Sequence, residues 1–306
     1  MKKIIIRTSI FFLFTLFIYL LCICLLGISK WTVKNMNFMY TSPGRINLRI
    51  EDIKNIDSLN VLFLGSSHVF MGFDTRIFNK YNLTAFNFGS LAQTPIQTKY
   101  LYEKYAKDIV VDLIVFEVNP EIFTSDGVES TIDIINSENL DYSIFNLCLK
   151  TEHPKCWNTL VFKWIQKIMG CKIVPPELGS YIKGSGYAPT NACNEKPRQR
   201  FNKKYYPVNK NQILAFQDMI ELWHNQNIDV VLVQAPVTKN FYWSHLGAPI
   251  FDTIMNKYGR YYNFNELIKL NDSSDFADYH HLNQNGTDIF NEALIKILIE
   301  EKIINN

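Results

Sequence analysis

Gly65-Ser66-Ser67-His68 follows the apolar run at residues 61–64, and Asp278-Tyr279-His280-His281-Leu282-Asn283 lies near the other end of the chain. Together the two stretches hold a hydroxyl, an imidazole and a carboxylate. A serine hydroxyl is a weak nucleophile at neutral pH, so an imidazole must take its proton and a carboxylate must hold that imidazole in the right tautomer. These residue types point to acyl transfer, with Ser67 as nucleophile, His281 as base and Asp278 as the acid that orients it. Three residues apart on a turn, the carboxylate can reach Nδ1–H while Nε2 points to the serine. Taken alone, Gly65-Ser66-Ser67 also reads as a turn with a helix N-cap, and the Asp278-to-Asn283 segment as a structural turn. Their joint presence is what points to catalysis.

Such residues need a scaffold that delivers both ends of the chain to one place. Residues 61–64 stop at Gly65 and suit a strand buried on both faces, as do 84–88, 109–118 and 229–234. Helical spacing recurs at 95–107, 210–225 and about 286–301, and Asn283, or Asn285 with Gly286, would cap the last of these. Strands alternating with helices predict a doubly wound three-layer α/β domain with a parallel sheet, its site beyond the carboxyl ends of the strands. Ser67, Gly89, Asn119 and Pro236 all fall at such ends.

The 306 residues suffice for one such domain plus an anchor, and the 47% apolar content is ample for a core. A formal charge of +2, with no Lys/Arg cluster interleaved with aromatics, argues against a nucleic-acid partner. Residues 10–28 carry no charge and are long enough to cross ~30 Å of hydrocarbon as a helix. A cleaved signal would have a shorter apolar core and a small-x-small site, which does not follow Leu26. The expected organisation is a transmembrane signal anchor at 1–30, a polar stalk at 31–59 and the α/β domain at 60–306, with an insertion at about 122–206 over or beside the site. Lys2, Lys3 and Arg7 before the span outweigh Lys30 and Lys34 after it, which places the N-terminus in the cytoplasm and the domain outside. In that compartment Cys148, Cys156, Cys171 and Cys193 could form disulfides, 148–156 with 171–193 being the simplest of three pairings. Zinc is the alternative, but no Cys-x-x-Cys pair supports it.

The paired motifs resemble those of the SGNH/GDSL hydrolase superfamily, most closely its membrane-anchored branch, which includes the DltD and AlgX/AlgJ-like acyltransferases. The likeness covers residues 60–119 and 229–298. It implies Ser67 as nucleophile, with Ser66 where the family often has Asp, and Asp278 and His281 before the final helix. It implies an oxyanion hole from the backbone of Gly89 and from Asn119, although Phe116-Glu117-Val118-Asn119-Pro120 lacks the family's usual Gly-x-Asn-Asp wording. Asn119 either points into the site or only starts a turn before Pro120. It further implies no cofactor, an acylated envelope glycan or polymer as substrate, and a membrane acyl-donor protein as a candidate partner alongside the lipid around the anchor.

The remaining candidates carry weaker signals. His68 either polarises the site or points to solvent, and His280 reads as a surface or wall residue. Trp243, with Tyr242 and His245, could wall an acyl or glycan pocket or simply pack a lid. Glu117, at the end of a buried strand, has no assigned role. An enzyme with an acyl-Ser67 intermediate is the first reading, and a non-catalytic scaffold or glycan-binding protein on the same fold is the second.

Overall fold

The structure is a computed structural model that describes residues 1–28, 46–170, 180–205 and 207–304. Five strands form the central sheet: β1 (Ser58–Leu64), β2 (Ala85–Asn87), β3 (Val110–Glu117), β4 (Asp229–Gln234) and β5 (Arg260–Asn263). All pair in parallel, in the order β2-β1-β3-β4-β5. Successive strand residues point to opposite faces. Leu62, Leu64, Ile114, Phe116 and Leu232 therefore enter one core, while Val61, Phe63, Val115, Val231 and Val233 enter the other. The first core is closed by helices that include Pro95–Leu101 and Lys210–Asn225, through Leu101, Phe216 and Trp223. The last helix, Gln284–Glu300, closes the second with Phe290, Leu294, Ile295 and Leu298. This is the doubly wound α/β arrangement that the apolar runs predict.

The chain steps from β1 outward to β2, then crosses back over β1 to β3 and continues to β5. Loops after β1 and β3 thus leave in opposite directions and open a crevice at the carboxyl ends of the two strands. Ser67 follows β1 and Asn119 follows β3, so both sit at that switch point.

Three expectations change. Part of the expected stalk belongs to the domain: Ile46–Ile53 is a helix that buries Ile46, Arg49, Ile50 and Ile53, while residues 31–45 lie outside the described residues. The insertion, whose sequence is rich in turn residues and suggests irregular structure, instead carries the amphipathic helices Val128–Ser137, Tyr142–Thr151 and Pro154–Ile168. Cys148 and Cys156 remain separate buried thiols, pushed up to about 12 by burial, and Cys193 is exposed and unbridged; Cys171 lies outside the described residues. Strand β5 escaped the apolar pattern because its Arg-Tyr-Tyr-Asn sequence sits half-exposed at the sheet edge.

Lys2–Ile28 is one helix, and Lys2–Gly27 is long and apolar enough to cross a membrane. It packs on the Pro154–Ile168 helix, where Tyr19 donates to Asn158 Oδ1 at 2.8 Å. Gly27 there lies against the Phe162 ring, in space that a Cβ would need.

Phe290 packs edge-on against both Phe73 and Phe264, with ring centroids 5.0 and 4.8 Å away. Phe290→Ala should lower the unfolding free energy by about 3–5 kcal/mol. The check is a shifted urea midpoint at unchanged slope.

Candidate active site

The nucleophile turn is built by close approach. Gly65 has φ +146°, and a Cβ on it would lie 2.8 Å from Val69 Cγ2 and 2.9 Å from Glu117 Cβ. A side chain there is excluded by space and by backbone conformation. The chain turns at once into the Ser67–Gly72 helix, whose N-cap, Ser66, accepts the His68 N–H on its Oγ at 3.3 Å. Ser67 becomes the first residue of a helix at the mouth of the crevice. Asn87, at the end of β2, donates to the carbonyls of Val69 at 2.6 Å and Phe73 at 2.9 Å, and so fastens this helix to the sheet.

His281 arrives from the far end of the chain on a loop tied down on three sides. Phe276 and Leu282 form a bridge that closes the loop, and Ala277 N–H donates to the His281 carbonyl at 2.8 Å. Thr238, beyond β4, donates from its N–H and its hydroxyl to the Tyr279 carbonyl. Asn283 caps the last helix by accepting the Gly286 N–H at 3.2 Å, settling the choice between the two capping candidates. That helix is locked to the nucleophile's helix through Asn291, which donates to the Gly72 carbonyl at 2.7 Å and accepts the Asp74 N–H at 3.2 Å.

Across 214 positions of sequence, His281 Nε2 lies 2.8 Å from Ser67 Oγ. His281 Nδ1 lies 2.8 Å from Asp278 Oδ2, while Asp278 Oδ1 accepts the N–H groups of His280 and His281, each at 2.8 Å. Burial would raise the Asp278 carboxyl, yet its hydrogen bond and charge attraction to His281 hold it well below the usual carboxylate range. It therefore stays an acceptor, and Nδ1 carries a proton while Nε2 is free to accept one from Ser67.

The other candidates are placed as follows. Gly89 lies against the nucleophile turn, its N–H 3.3 Å from Asn87 Oδ1. Asn119 is buried at the crevice, but its Oδ1 caps the turn Pro120–Phe123 through the N–H groups of Glu121 and Ile122, and its Nδ2 donates to Glu117 Oε1 at 2.9 Å. His68 does not reach solvent: its Nδ1 meets Glu117 Oε1 at 3.0 Å, and Nε2 lies 3.4 Å from His280 Nδ1. Ser67, His68, Asn119, Glu121, His280 and His281 share a cavity of about 380 Å³. Trp243 is not brought to that cavity; it is 66% exposed, with its ring beside Tyr242.

Glu117 is the member that spacing could not interpret. It is fully buried and accepts from Ser66 Oγ at 3.0 Å as well as from His68 and Asn119. Its only signal in the sequence is a carboxylate closing an otherwise apolar stretch of strand. Burial lowers the His68 imidazole, but the Glu117 carboxylate outweighs this and leaves it raised above its ordinary value. His280 is driven the other way, down to about 3, by burial and by the neighbouring imidazoles. Ring nitrogens of His68, His280 and His281 lie within 4.8 Å of one another, a spacing a metal ion could bridge. Those nitrogens are already directed at one another and at Ser67, an arrangement suited to moving protons.

No family model and no curated protein matches the chain. Among solved structures it is similar to the crystal structure of a "putative acylhydrolase" from Bacteroides fragilis, at 12% identity and a TM-score of 0.41 over 85% of this chain and 96% of that one.

Two outcomes follow from this geometry. A Cβ on Gly89 would sit 2.7 Å from Val69 Cβ and 2.8 Å from the Ser66 carbonyl oxygen, so Gly89→Ala must displace the nucleophile turn. A displacement near 1 Å should cut Ser67 reactivity by about 10²-fold, measured as the rate of phosphonylation. Because the folded Asp278 carboxyl is depressed, its stabilisation is complete above about pH 4 and is lost as pH falls below that. The stability gap between the protein and Asp278→Asn should therefore be flat near neutrality and narrow in acid, read from urea midpoints against pH.

Proposed function

We infer that the chain is a membrane-anchored serine acyl-transfer enzyme, an esterase or O-acyltransferase working through an acyl-Ser67 intermediate. The observation that carries this reading is the hydrogen-bonded line Ser67 Oγ, His281 Nε2, His281 Nδ1, Asp278 Oδ2, with 2.8 Å at each contact. Ser67 Oγ attacks an ester carbonyl as His281 Nε2 takes its proton. The carbon–oxygen bond to the leaving alcohol then breaks, and that alcohol leaves with the proton from His281. Water or a second alcohol enters the same way, loses its proton to His281 and releases the acyl group, and Ser67 recovers its hydrogen. Asp278 stays ionised throughout.

The resemblance to the membrane-anchored SGNH branch supports an envelope glycan O-acyl group as substrate and a membrane protein as acyl donor. Lys2, Lys3 and Arg7 ahead of the apolar helix support an N-terminus in the cytoplasm and a catalytic domain on the outer side. The Ser67 N–H at the head of its helix would hold the oxyanion, joined by the Gly89 N–H when the oxyanion displaces its 3.3 Å contact with Asn87 Oδ1.

A fluorophosphonate probe should label the full chain in detergent, and Ser67→Ala should abolish labelling. Asp278→Asn should slow it by roughly 10³–10⁴-fold. Label that persists in Ser67→Ala would sink the nucleophile assignment, and a folded protein that never labels would favour a non-catalytic scaffold. Separately, a C-terminal alkaline phosphatase fusion should be active on cells, since that reporter works only outside the cytoplasm; an inactive fusion would reverse the orientation.

A further inference from the structure

The triad leaves one buried acid–base pair unused. Glu117 is 0% exposed at the carboxyl end of β3, and its two oxygens take donors from Ser66, His68 and Asn119. A buried carboxylate is costly unless it is well paired, so this arrangement fixes everything that touches it. With Nδ1–H given to Glu117, His68 turns Nε2 into the cavity that it shares with Ser67. Its resting partner there is His280 Nδ1 at 3.4 Å, a long contact that a better acceptor would displace. Asn119 spends its carbonyl on the turn that follows, and its Nδ2 lies 2.9 Å from Glu117 Oε1 and 3.3 Å from His68 Nδ1, turned away from the cavity. The side-chain N–H facing the reacting centre is therefore that of His68.

We propose that His68, whose Nδ1 is held by Glu117 so that Nε2 faces the cavity, is the side-chain donor to the oxyanion formed when Ser67 attacks an ester, and that Asn119 is a positioning residue acting on Glu117. The inference rests on the acyl-transfer reading above and adds a catalytic residue to it. As the Ser67 Oγ–carbon bond forms, the carbonyl electron pair moves onto oxygen and the serine proton goes to His281. The oxyanion accepts a hydrogen bond from His68 Nε2–H, which keeps its proton throughout. When the carbonyl re-forms, the leaving oxygen takes the proton from His281 and His68 returns to His280. A charged donor in a dry, preorganised site stabilises developing charge far more than one in water. The oxyanion also offsets the repulsion between His68 and the protonated His281, whose rings lie 5.6 Å apart.

The test uses the purified full chain in detergent with p-nitrophenyl acetate. His68→Gln, with thermal unfolding checked alongside, should reduce kcat by roughly 10²–10³-fold with KM changed by less than about threefold. Affinity for an arylboronic acid, which becomes tetrahedral on Ser67 Oγ, should fall in parallel. The groups facing His68 are Glu117 from β3, Glu121 from the turn after it, and Asp278, His280 and His281 from the base loop. Because His68 acts protonated and His281 neutral, the kcat profile should be a bell whose alkaline limb belongs to His68. Glu117→Gln removes the carboxylate that raises His68 and leaves burial to lower it, so the alkaline limb alone should move to lower pH. A folded His68→Gln that keeps kcat within about threefold, or an alkaline limb unmoved in Glu117→Gln, overturns the proposal. If Ser67→Ala is inactive and either of these results appears, this inference alone fails. An active Ser67→Ala would overturn the acyl-transfer reading and this inference with it.

Discussion

A single buried carboxylate organises the end of the sheet that carries Ser67. Glu117 terminates the central strand with no solvent contact, where an unpaired charge would cost several kcal/mol. Its three donors come from the nucleophile turn, from the helix that follows it and from the turn beyond β3. Satisfying one group therefore fixes the N-cap beside Ser67, the ring of His68 and the amide of Asn119 together. Each of them that rotated away would take one of three donors from a carboxylate in the protein interior.

The second requirement is the union of the chain's two ends, which hydrophobic burial and a few directed hydrogen bonds accomplish. Phe290, Leu294 and Leu298 draw the last helix onto the sheet face that Val61 and Phe63 also line. Apolar packing is non-directional, so it delivers the helix without setting its register. Asn291 supplies the register by bonding to the Gly72 carbonyl and the Asp74 N–H, just past the end of the nucleophile's helix. The base loop is then a short span between the Asn283 cap and its anchor on Thr238, which leaves His281 little freedom around Ser67.

The two imidazole systems share one region but differ in their partners. Asp278 meets His281 Nδ1 and leaves Nε2 toward Ser67, while Glu117 meets His68 Nδ1 and leaves Nε2 toward the cavity. Neutral His280 stands between them, its ring 3.8 Å from that of His281 and its Nδ1 toward His68. A carboxylate stands behind each outer imidazole, Asp278 behind His281 and Glu117 behind His68, so the two rings meet different surroundings within one site.

Local relations were written plainly in the chain. Apolar runs of strand length located β1, β2, β3 and β4, the first two stopped by Gly65 and Gly89, and the three-residue spacing of Asp278 and His281 already put a carboxylate within reach of an imidazole across one turn. Such patterns involve residues close in sequence, whose geometry is set by backbone periodicity. Helix Ile46–Ile53 and edge strand β5 were not legible, because each owes its place to one packed face among polar residues. The roles of Glu117 and His68 were beyond the sequence for a different reason. Forty-nine positions separate them, and only the parallel pairing of β1 with β3 brings their side chains to 3.0 Å inside a dry core. Sequence determined the serine and the Asp278–His281 pair expected to face it; burial and strand order, which no local spacing encodes, decided that His68 faces the cavity with a second acid, Glu117, behind it.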